Sequence, residues 1–597
     1  MDSSDYAYAP LYDPNGIRIL SILPGEGTEP ICVEIFQTTL GQHPAYEALS
    51  YAWGEADFAC TIFSGSSRLA VSTNLHSALQ RLRQRNSRRT MWIDAICINQ
   101  VDVAERSCQV GKMREIFQSA ERVVVWIGEA SATSDLAINF LCNMAGKEKR
   151  DKSIDAEKKE HRRPPEGHLV YGYPVLHEND YYSYFKSDYN KHWAALDELL
   201  ARPWWSRAWV VQEVWSASRV ILQCGSRIIG WNTIQKALNY EEGWDDMGQT
   251  MADMDFARVE NWNRLKRRYG LAIHIAGERV NGSTLSDLLW NTWDREAADP
   301  RDKVFSVLEL VGEETRSGLR PDYAKPVKQV YVEAARDILE SQGKMDILLA
   351  ANGLDRTDGL PSWVPDWRRE ANNHRPTLFV NRDRLHTMYH SGSTDAVVTW
   401  EYGFMASGKT EATFGFDDGS SVLIVSAVRI DTVSELAPEF RTGEDPPMLE
   451  INYRWRRPAV PKGPDSFEEC VEDAIQLASN ALGIGPNNEW NLMRRRRFLV
   501  TEKGRLGIGH HRVEKGDEVW IIKGCSYPLI LRRGDDDGCY GLVGEAYVHG
   551  VMAGEAVGPK IKGRSNPFGM LYVEESDSEQ DEEVRPEEVE WQEIRIR

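Results

Sequence analysis

Residues 90–128 read TMWIDAICINQVDVAERSCQVGKMREIFQSAERVVVWIG, and this stretch decides the fold. The apolar run 90–98 is interrupted only by Asp94, which is typical of a strand buried on both faces of a sheet. A helical pattern follows over 102–120, and the run 122–128 predicts a second central strand. Strand, helix and strand in this order predict a βαβ unit in a parallel sheet.

The flanking segments extend this unit in both directions. YEALSYAW at 46–53 and RVILQCG at 219–225 predict further strands, and the alternation over 17–37 predicts a hairpin around a Pro-Gly turn. Short strands separated by Gly and Asp turns predict a small C-terminal barrel or sandwich. The predicted parts are an N-terminal hairpin (1–45), an α/β domain (46–231, with an insertion over about 129–200), a helical region (232–355), a mixed and β-rich region (356–573), and an acidic disordered tail (574–597).

Composition narrows the classes of function. The formal net charge of -20 argues against general binding to nucleic acid or to anionic membranes. No run approaches 18 apolar residues, and the nine scattered cysteines favour free thiols in a reducing compartment, so we expect a cytoplasmic protein. The sequence contains neither a P-loop nor paired Cys/His spacing, and we therefore expect no metal and no bound cofactor.

Polar residues follow the ends of the predicted strands, where ligands bind in open α/β sheets. One set lies at the end of the strand in 46–53, and another follows the run 90–98. The candidate binding residues of these sets are Ser50, Tyr51, Trp53, Gly54, Asp94 and Asn99. The third feature is Glu213, the one carboxylate in a stretch that holds Trp204, Trp205, Trp209 and Trp215.

Each acid also has a purely structural interpretation. Asp94 fits a buried acid that is hydrogen-bonded to backbone, and Asp102 fits a helix cap. Glu213 fits a structural ion pair with Arg207 or Arg219. The residues alone leave both interpretations of Glu213 open.

Three long blocks resemble the fungal heterokaryon-incompatibility (HET) domain: YEALSYAWG, then the stretch 90–128, then RPWWSRAWVVQEVWSASRVILQCG, which together span about residues 46–225. The resemblance implies a role in non-self recognition and programmed cell death, with an incompatibility partner protein. HET domains in turn are similar to TIR domains, whose Ser-x-Trp-Cys-x-x-Glu helix is matched here by Ser206, Trp209 and Glu213, with Val210 in place of the Cys. This implies a TIR-like, flavodoxin-like parallel sheet and self-association.

Enzymatic TIR domains cleave NAD+, so the resemblance implies that Glu213 is catalytic, that NAD+ is the substrate, and that Trp209 contributes to the site. One carboxylate suffices for this chemistry, because nicotinamide leaves as a neutral base and needs no general acid. Two alternatives stay open at this point. The domain could be a non-enzymatic assembly module, or an unrelated hydrolase that uses Ser50 or Cys97.

Overall fold

A computed structural model of the chain describes most of its length and separates it into two compact units. The first unit comprises 1–283, 294–311 and 320–324, and the second comprises 284–293, 312–319 and 325–597. The described residues are 5–54, 58–159, 187–238, 259–277, 283–312, 318–351, 359–368, 405–408, 410–417, 421–437, 496–534, 538–552, 554–558, 563–565, 571–573 and 589–597. Part of the predicted insertion, 160–186, lies outside them.

The helices follow one another in both units. They are α1 (Thr73–Leu82), α2 (Asp94–Cys97), α3 (Val103–Val110), α4 (Met113–Ser119), α5 (Ser134–Lys159), α6 (Asn190–Leu200), α7 (Val210–Trp215), α8 (Trp231–Leu238), α9 (Val259–Ala276), α10 (Leu285–Asn291), α11 (Asp302–Leu308) and α12 (Val327–Gln342). Of these, α10 and α12 belong to the second unit. Among the described residues, the search for a helix with the length and apolarity of a membrane span found none.

Within the described residues, the first unit is built on a nine-stranded mixed sheet. Its strands are β1 (Gly16–Ile22), β2 (Cys32–Thr39), β3 (Glu47–Tyr51), β4 (Cys60–Ser64), β5 (Ser67–Val71), β6 (Arg89–Trp92), β7 (Arg122–Trp126), β8 (Val220–Cys224) and β9 (Arg227–Gly230). Their order across the sheet is β5-β4-β2-β1-β6-β3-β7-β8-β9. The α/β class predicted from the sequence is confirmed.

The centre of this sheet is parallel. Strand β3 pairs in parallel with β6 on one side and with β7 on the other, and β7 pairs in parallel with β8. Taken in chain order, these four strands have the spatial order 2-1-3-4, which is the order of the doubly wound flavodoxin-like sheet. The direction of winding therefore reverses between β3 and β7.

Several boundaries differ from the sequence prediction. The apolar run 90–98 is not one strand, because β6 ends at Trp92 and α2 begins at Asp94. An apolar run this short fits a buried helical turn as well as a strand. The predicted hairpin forms, but β1 pairs with β6, so the hairpin is part of the central sheet. The helix predicted over 102–120 is interrupted at Gly111–Lys112, between α3 and α4.

The strands of the β-rich C-terminal region, in the second unit, form a closed barrel, two flanking strands and a separate two-stranded sheet. They are β10 (Phe414–Phe416), β11 (Leu423–Leu436), β12 (Arg496–Thr501), β13 (Leu506–His510), β14 (Glu518–Ile522), β15 (Leu529–Arg533), β16 (Tyr540–Val548), β17 (Gly563–Ser565), β18 (Leu571–Val573) and β19 (Gln592–Ile596). In the order β11-β12-β13-β16-β15-β14, each strand is antiparallel to the next, and β14 pairs back with β11. This ring encloses an apolar core that includes Val433, Leu499, Ile521 and Val548.

The acidic tail is only partly as predicted. Residues 574–588 lie outside the described residues, but 592–596 form β19, which pairs with β11 along five residues. The prediction of disorder over 574–597 is therefore wrong at its end. The physical reason is the alternation of Ile594 and Ile596 with polar neighbours, which places both isoleucines on the buried face of a strand.

Candidate functional site

The candidate site lies at the carboxyl end of β3, next to the point where the winding of the sheet reverses. Ser50 and Tyr51 are the last two residues of this strand. Loops that leave neighbouring parallel strands in opposite directions open a crevice at such a point, where α/β proteins bind their ligands. The topology thus gives this end of β3 a special position before any side chain is considered.

Helix α7 brings Glu213 to this end of β3. The side chain is buried, with 2% of its surface exposed. The Ser50 hydroxyl donates a short hydrogen bond to Glu213 Oε2, and the Trp204 indole N–H donates to Ser50 Oγ at 2.8 Å. Because an indole nitrogen only donates, it occupies a lone pair of the hydroxyl and directs the hydroxyl proton to the carboxylate.

Arg207 is the cation nearest to this carboxylate among the described residues. Its Nη1 lies 4.0 Å from Glu213 Oε1, at the outer limit of an ion pair, and donates to the Tyr51 carbonyl. Arg219, the other partner considered from the sequence, lies at the opposite end of the sheet and is exposed. The interpretation of Glu213 as a structural ion pair therefore concerns Arg207 alone.

The environment of Glu213 makes it titratable near neutral pH. Burial raises its pKa to about 7, and the nearby Asp94 carboxylate acts in the same direction. Arg207 and the Ser50 hydrogen bond oppose this rise but do not cancel it. A carboxyl group with a pKa near 7 is present in both protonation states at neutral pH, which is the property of an acid or base that works there.

Asp94 and Trp53 lie at the more open side of the same cluster. Asp94, the first residue of α2, is half-buried, and its Oδ2 accepts a hydrogen bond of 2.8 Å from the Trp53 indole. Its Oδ1 accepts from the Ala95 backbone N–H at 2.7 Å, and burial raises its pKa. Trp53 is 37% exposed. The Trp53 ring is therefore accessible to a ligand from solvent.

Tyr51 lies in the interior of the first unit. It is buried, and its hydroxyl makes no hydrogen bond of normal geometry with any described residue. Burial raises its pKa well above the usual value, and Asp94 adds to the rise. The chain then turns through Gly54, whose φ of +77° is the left-handed conformation that favours glycine.

Two of the predicted site residues are directed elsewhere. The Asn99 side chain accepts from the Val101 backbone N–H at 3.3 Å, within its own turn. The Trp209 indole interacts with the Asp302 carboxyl group and is not among the partners of Glu213. Cys97 is buried with a pKa raised to about 12, so its thiol stays protonated and is a poor nucleophile.

Sequence reasoning missed two contributions. Asn74 donates to the Ala52 carbonyl at 2.6 Å and accepts from the Trp126 indole at 3.0 Å, which fixes the chain directly after β3. The other contribution is the segment 294–311, which had been assigned to a separate helical region but belongs to the first unit.

This segment is hydrogen-bonded to the residues that directly precede α7 and fixes their position. The Glu296 backbone pairs with Ser206 at 2.6 Å and with Ala208 at 2.9 Å, and the Ser206 hydroxyl donates to the Glu296 carboxylate at 2.8 Å. The Asp302 carboxyl group accepts a hydrogen bond from the Tyr323 hydroxyl and interacts with the Trp209 indole. Contacts between residues about 90 positions apart leave no local pattern in the sequence. The polar run ADPRDK at 298–303 is recognisable in the sequence, but its contact with α7 is not.

No group of three or more potential metal ligands occurs in the part of the chain that the structure describes. The polar atoms around Glu213 are instead hydroxyl, guanidinium, indole and carboxyl groups. This set suits an organic ligand with hydroxyl groups better than a metal ion.

Two segments of the chain match known protein families. Residues 46–213 match the family described as heterokaryon incompatibility protein (HET), and the match ends at Glu213. Residues 483–563 match the Het-6 beta-barrel domain. Heterokaryon incompatibility protein 6, OR allele, of Neurospora crassa is 25% identical over 659 aligned residues, which cover 92% of this chain and 96% of that protein.

No solved structure matches the chain. The two family matches fall on the parallel sheet with its Glu213 site and on the closed barrel. The chain therefore combines a region that matches the HET family with a region that matches the Het-6 beta-barrel domain.

Proposed function

We propose that this protein acts in heterokaryon incompatibility, as an effector of programmed cell death after non-self recognition. The proposal is supported by the matched HET domain and by the similarity to heterokaryon incompatibility protein 6 of Neurospora crassa over nearly the full length of both chains. Such a role implies an incompatibility partner protein, whose identity the sequence does not encode in a recognisable motif.

We further propose that the HET domain hydrolyses NAD+ and that Glu213 is the catalytic residue. The observation that carries this proposal is the position of Glu213 at the carboxyl end of β3, hydrogen-bonded to Ser50 at the reversal of the sheet. Hydrolysis breaks the bond between ribose C1′ and the nicotinamide nitrogen, and water supplies the new hydroxyl and releases its other proton to solvent. The electron pair leaves with nicotinamide, and positive charge develops on the ribose.

A carboxylate beside that positive charge would account for part of the rate enhancement. Unit charges about 4 Å apart at an effective dielectric constant of about 20 attract by roughly 4 kcal/mol. If this attraction is present only in the transition state, it corresponds to about 10³ in rate. Trp53, with an exposed ring at the entrance, would stack on nicotinamide or adenine.

Burial of Glu213 favours a second candidate function. With 2% of its surface exposed, the carboxyl group meets substrate only after neighbouring groups move. The same burial suits a structural acid in a non-enzymatic module that signals by assembling with further copies of itself. In that case Ser50 and Arg207 would be its permanent partners.

Nicotinamide release from NAD+ by the purified full chain at high concentration tests the catalytic proposal. We expect release by the wild type and a loss of about 10³ in Glu213→Gln, which keeps the shape of the side chain and removes its charge. Glu129→Gln is the matched control, because Glu129 is an exposed acid of the same unit that pairs with Arg81. Equal rates for the wild type and Glu213→Gln would refute catalysis by Glu213.

Expression in fungal cells separates the two candidates. If NAD+ hydrolysis causes death, Glu213→Gln abolishes it and cellular NAD+ stays constant. If assembly causes death, Glu213→Gln kills as the wild type does, provided that the variant accumulates to the same level.

A further inference from the structure

The amino ends of the four central strands form a second rim of the sheet, opposite the Glu213 site. Arg89 begins β6, Glu47 begins β3, Arg122 begins β7, and Arg219 directly precedes β8. Glu47 and Arg122 are register partners, and the Val123 N–H donates to the Arg219 carbonyl, so these residues are neighbours across the sheet. Each strand thus contributes one charged side chain to one edge.

The cations in this row exceed the anions. Glu47, which is buried, accepts short hydrogen bonds from both Arg89 and Arg122, so one carboxylate serves two guanidinium groups. Arg88 pairs with Glu34. Arg219 is exposed and forms no ion pair with any residue that the structure describes, although it neighbours Arg122.

Like charges on adjacent strands repel each other, and this repulsion is relieved when an anion binds between them. Space for an anion is available, since these residues line an open cleft of about 470 Å³. Its charged lining consists of four guanidinium groups and two carboxylates, Glu47 and Glu121. With Glu34 counted beside Arg88, four guanidinium groups meet three carboxylates, so the cleft is net positive although the formal net charge of the chain is -20.

We propose that this rim, formed by Arg88, Arg89, Arg122 and Arg219, is a binding site for a compact, multiply charged phosphate anion of the oligophosphate type. Both hydrogen bonds to Glu47 use the Nε of an arginine, and Arg122 therefore keeps its terminal N–H groups available for a ligand. A planar guanidinium binds two phosphate oxygens at once, and two neighbouring guanidinium groups match two linked phosphates. Glu47 holds Arg89 and Arg122 in place before the ligand arrives.

The site is independent of NAD+ hydrolysis, and its test needs no activity measurement. Titration calorimetry of the full chain with inorganic tripolyphosphate at low salt should show saturable binding that weakens as salt is added. Arg219→Gln should weaken this binding at least tenfold, and it should fold normally because the side chain is exposed and unpaired within the described structure. Arg81→Gln, an exposed arginine of the same unit that pairs with Glu129, is the control and should bind as the wild type does.

A second ligand distinguishes recognition of phosphate from recognition of a nucleoside. ATP carries the same triphosphate and should bind within a few-fold of tripolyphosphate, whereas AMP should bind much more weakly. The proposal is overturned by the absence of saturable tripolyphosphate binding, by ATP binding without tripolyphosphate binding, or by equal affinities of Arg219→Gln and Arg81→Gln.

Discussion

Each unit of the protein has a glutamate with 2% or less of its surface exposed beside an arginine, and these two pairs differ in how closely they are joined. In the barrel, Glu545 accepts a short hydrogen bond from Arg496, and both side chains are almost completely buried. In the α/β unit, Glu213 is as deeply buried but its arginine lies 4.0 Å away, and a serine hydroxyl takes the direct contact. The first arrangement neutralises a charge, while the second leaves a carboxyl group free to titrate.

The difference explains why one acid is a candidate for chemistry and the other is not. In a buried ion pair with direct contact, each charge is compensated by its partner. A buried carboxyl group with an incomplete partner is less stable as an anion, and its pKa rises to about 7 at Glu213. Functional sites retain groups of the second kind at a cost in stability.

The largest expected effect concerns the barrel pair. Arg496→Met would leave Glu545 buried without its cation, which costs about 3–5 kcal/mol of unfolding free energy. Hydrogen exchange measured by mass spectrometry should show faster exchange in β12 and β16, where the two residues lie. The double variant Arg496→Met with Glu545→Leu is the control, and it should recover most of the protection. Unchanged protection in the single variant would contradict the assignment of this pair as a neutralised structural contact.

A smaller effect of opposite sign is expected at Glu213. Its pKa in the folded protein is about 7, above the ordinary value of 4.5, so its contribution to stability is complete below pH 4.5 and is lost as the pH rises through 7. Glu213→Gln cannot ionise and avoids this loss. We therefore expect the variant to be more stable than the wild type by roughly 3 kcal/mol at pH 8, and by much less at pH 5.

Urea denaturation of both proteins at the two pH values measures this difference. Glu129→Gln, at the exposed pair with Arg81, controls for the removal of a surface charge and should show little dependence on pH. If Glu213→Gln destabilises the protein equally at pH 5 and pH 8, Glu213 is a satisfied ion like Glu545, and the contrast between the two units disappears.

The order of the secondary-structure elements and the position of the end of β3 could be predicted from the sequence. Strands β3, β7 and β8 are short apolar runs bounded by turns, and such runs are recognisable because a buried central strand needs apolar residues on both faces. The run 90–98 misled for the same reason, since its second half satisfies burial as a helical turn that begins at Asp94. Length and apolarity alone do not separate these two outcomes.

Glu213 was singled out by resemblance and by its isolation among tryptophans, but its partners were not predictable from spacing. Arg207 and Arg219 are both six residues from Glu213, and only the direction of the chain around α7 places one of them near the carboxylate. The contacts of Glu296 and Asp302 with the residues around α7 join segments about 90 residues apart. Such tertiary contacts depend on how the whole unit packs, so no local pattern encodes them.

The smallest effect on stability is expected at the Ser50 hydroxyl, which contacts Glu213 where the barrel glutamate has an arginine. Ser50→Ala removes the hydrogen bond that supports the charged form of Glu213 and leaves the buried Trp204 indole N–H without its acceptor. We expect a loss of about 1–2 kcal/mol of unfolding free energy and a further rise in the pKa of Glu213. The pH at which stability stops falling should therefore move upward in a series of urea denaturations, whereas Ser77→Ala, at an exposed hydroxyl of α1, should leave it in place. An unchanged pH profile in Ser50→Ala would mean that the Ser50 hydrogen bond does not contribute to the pKa of Glu213.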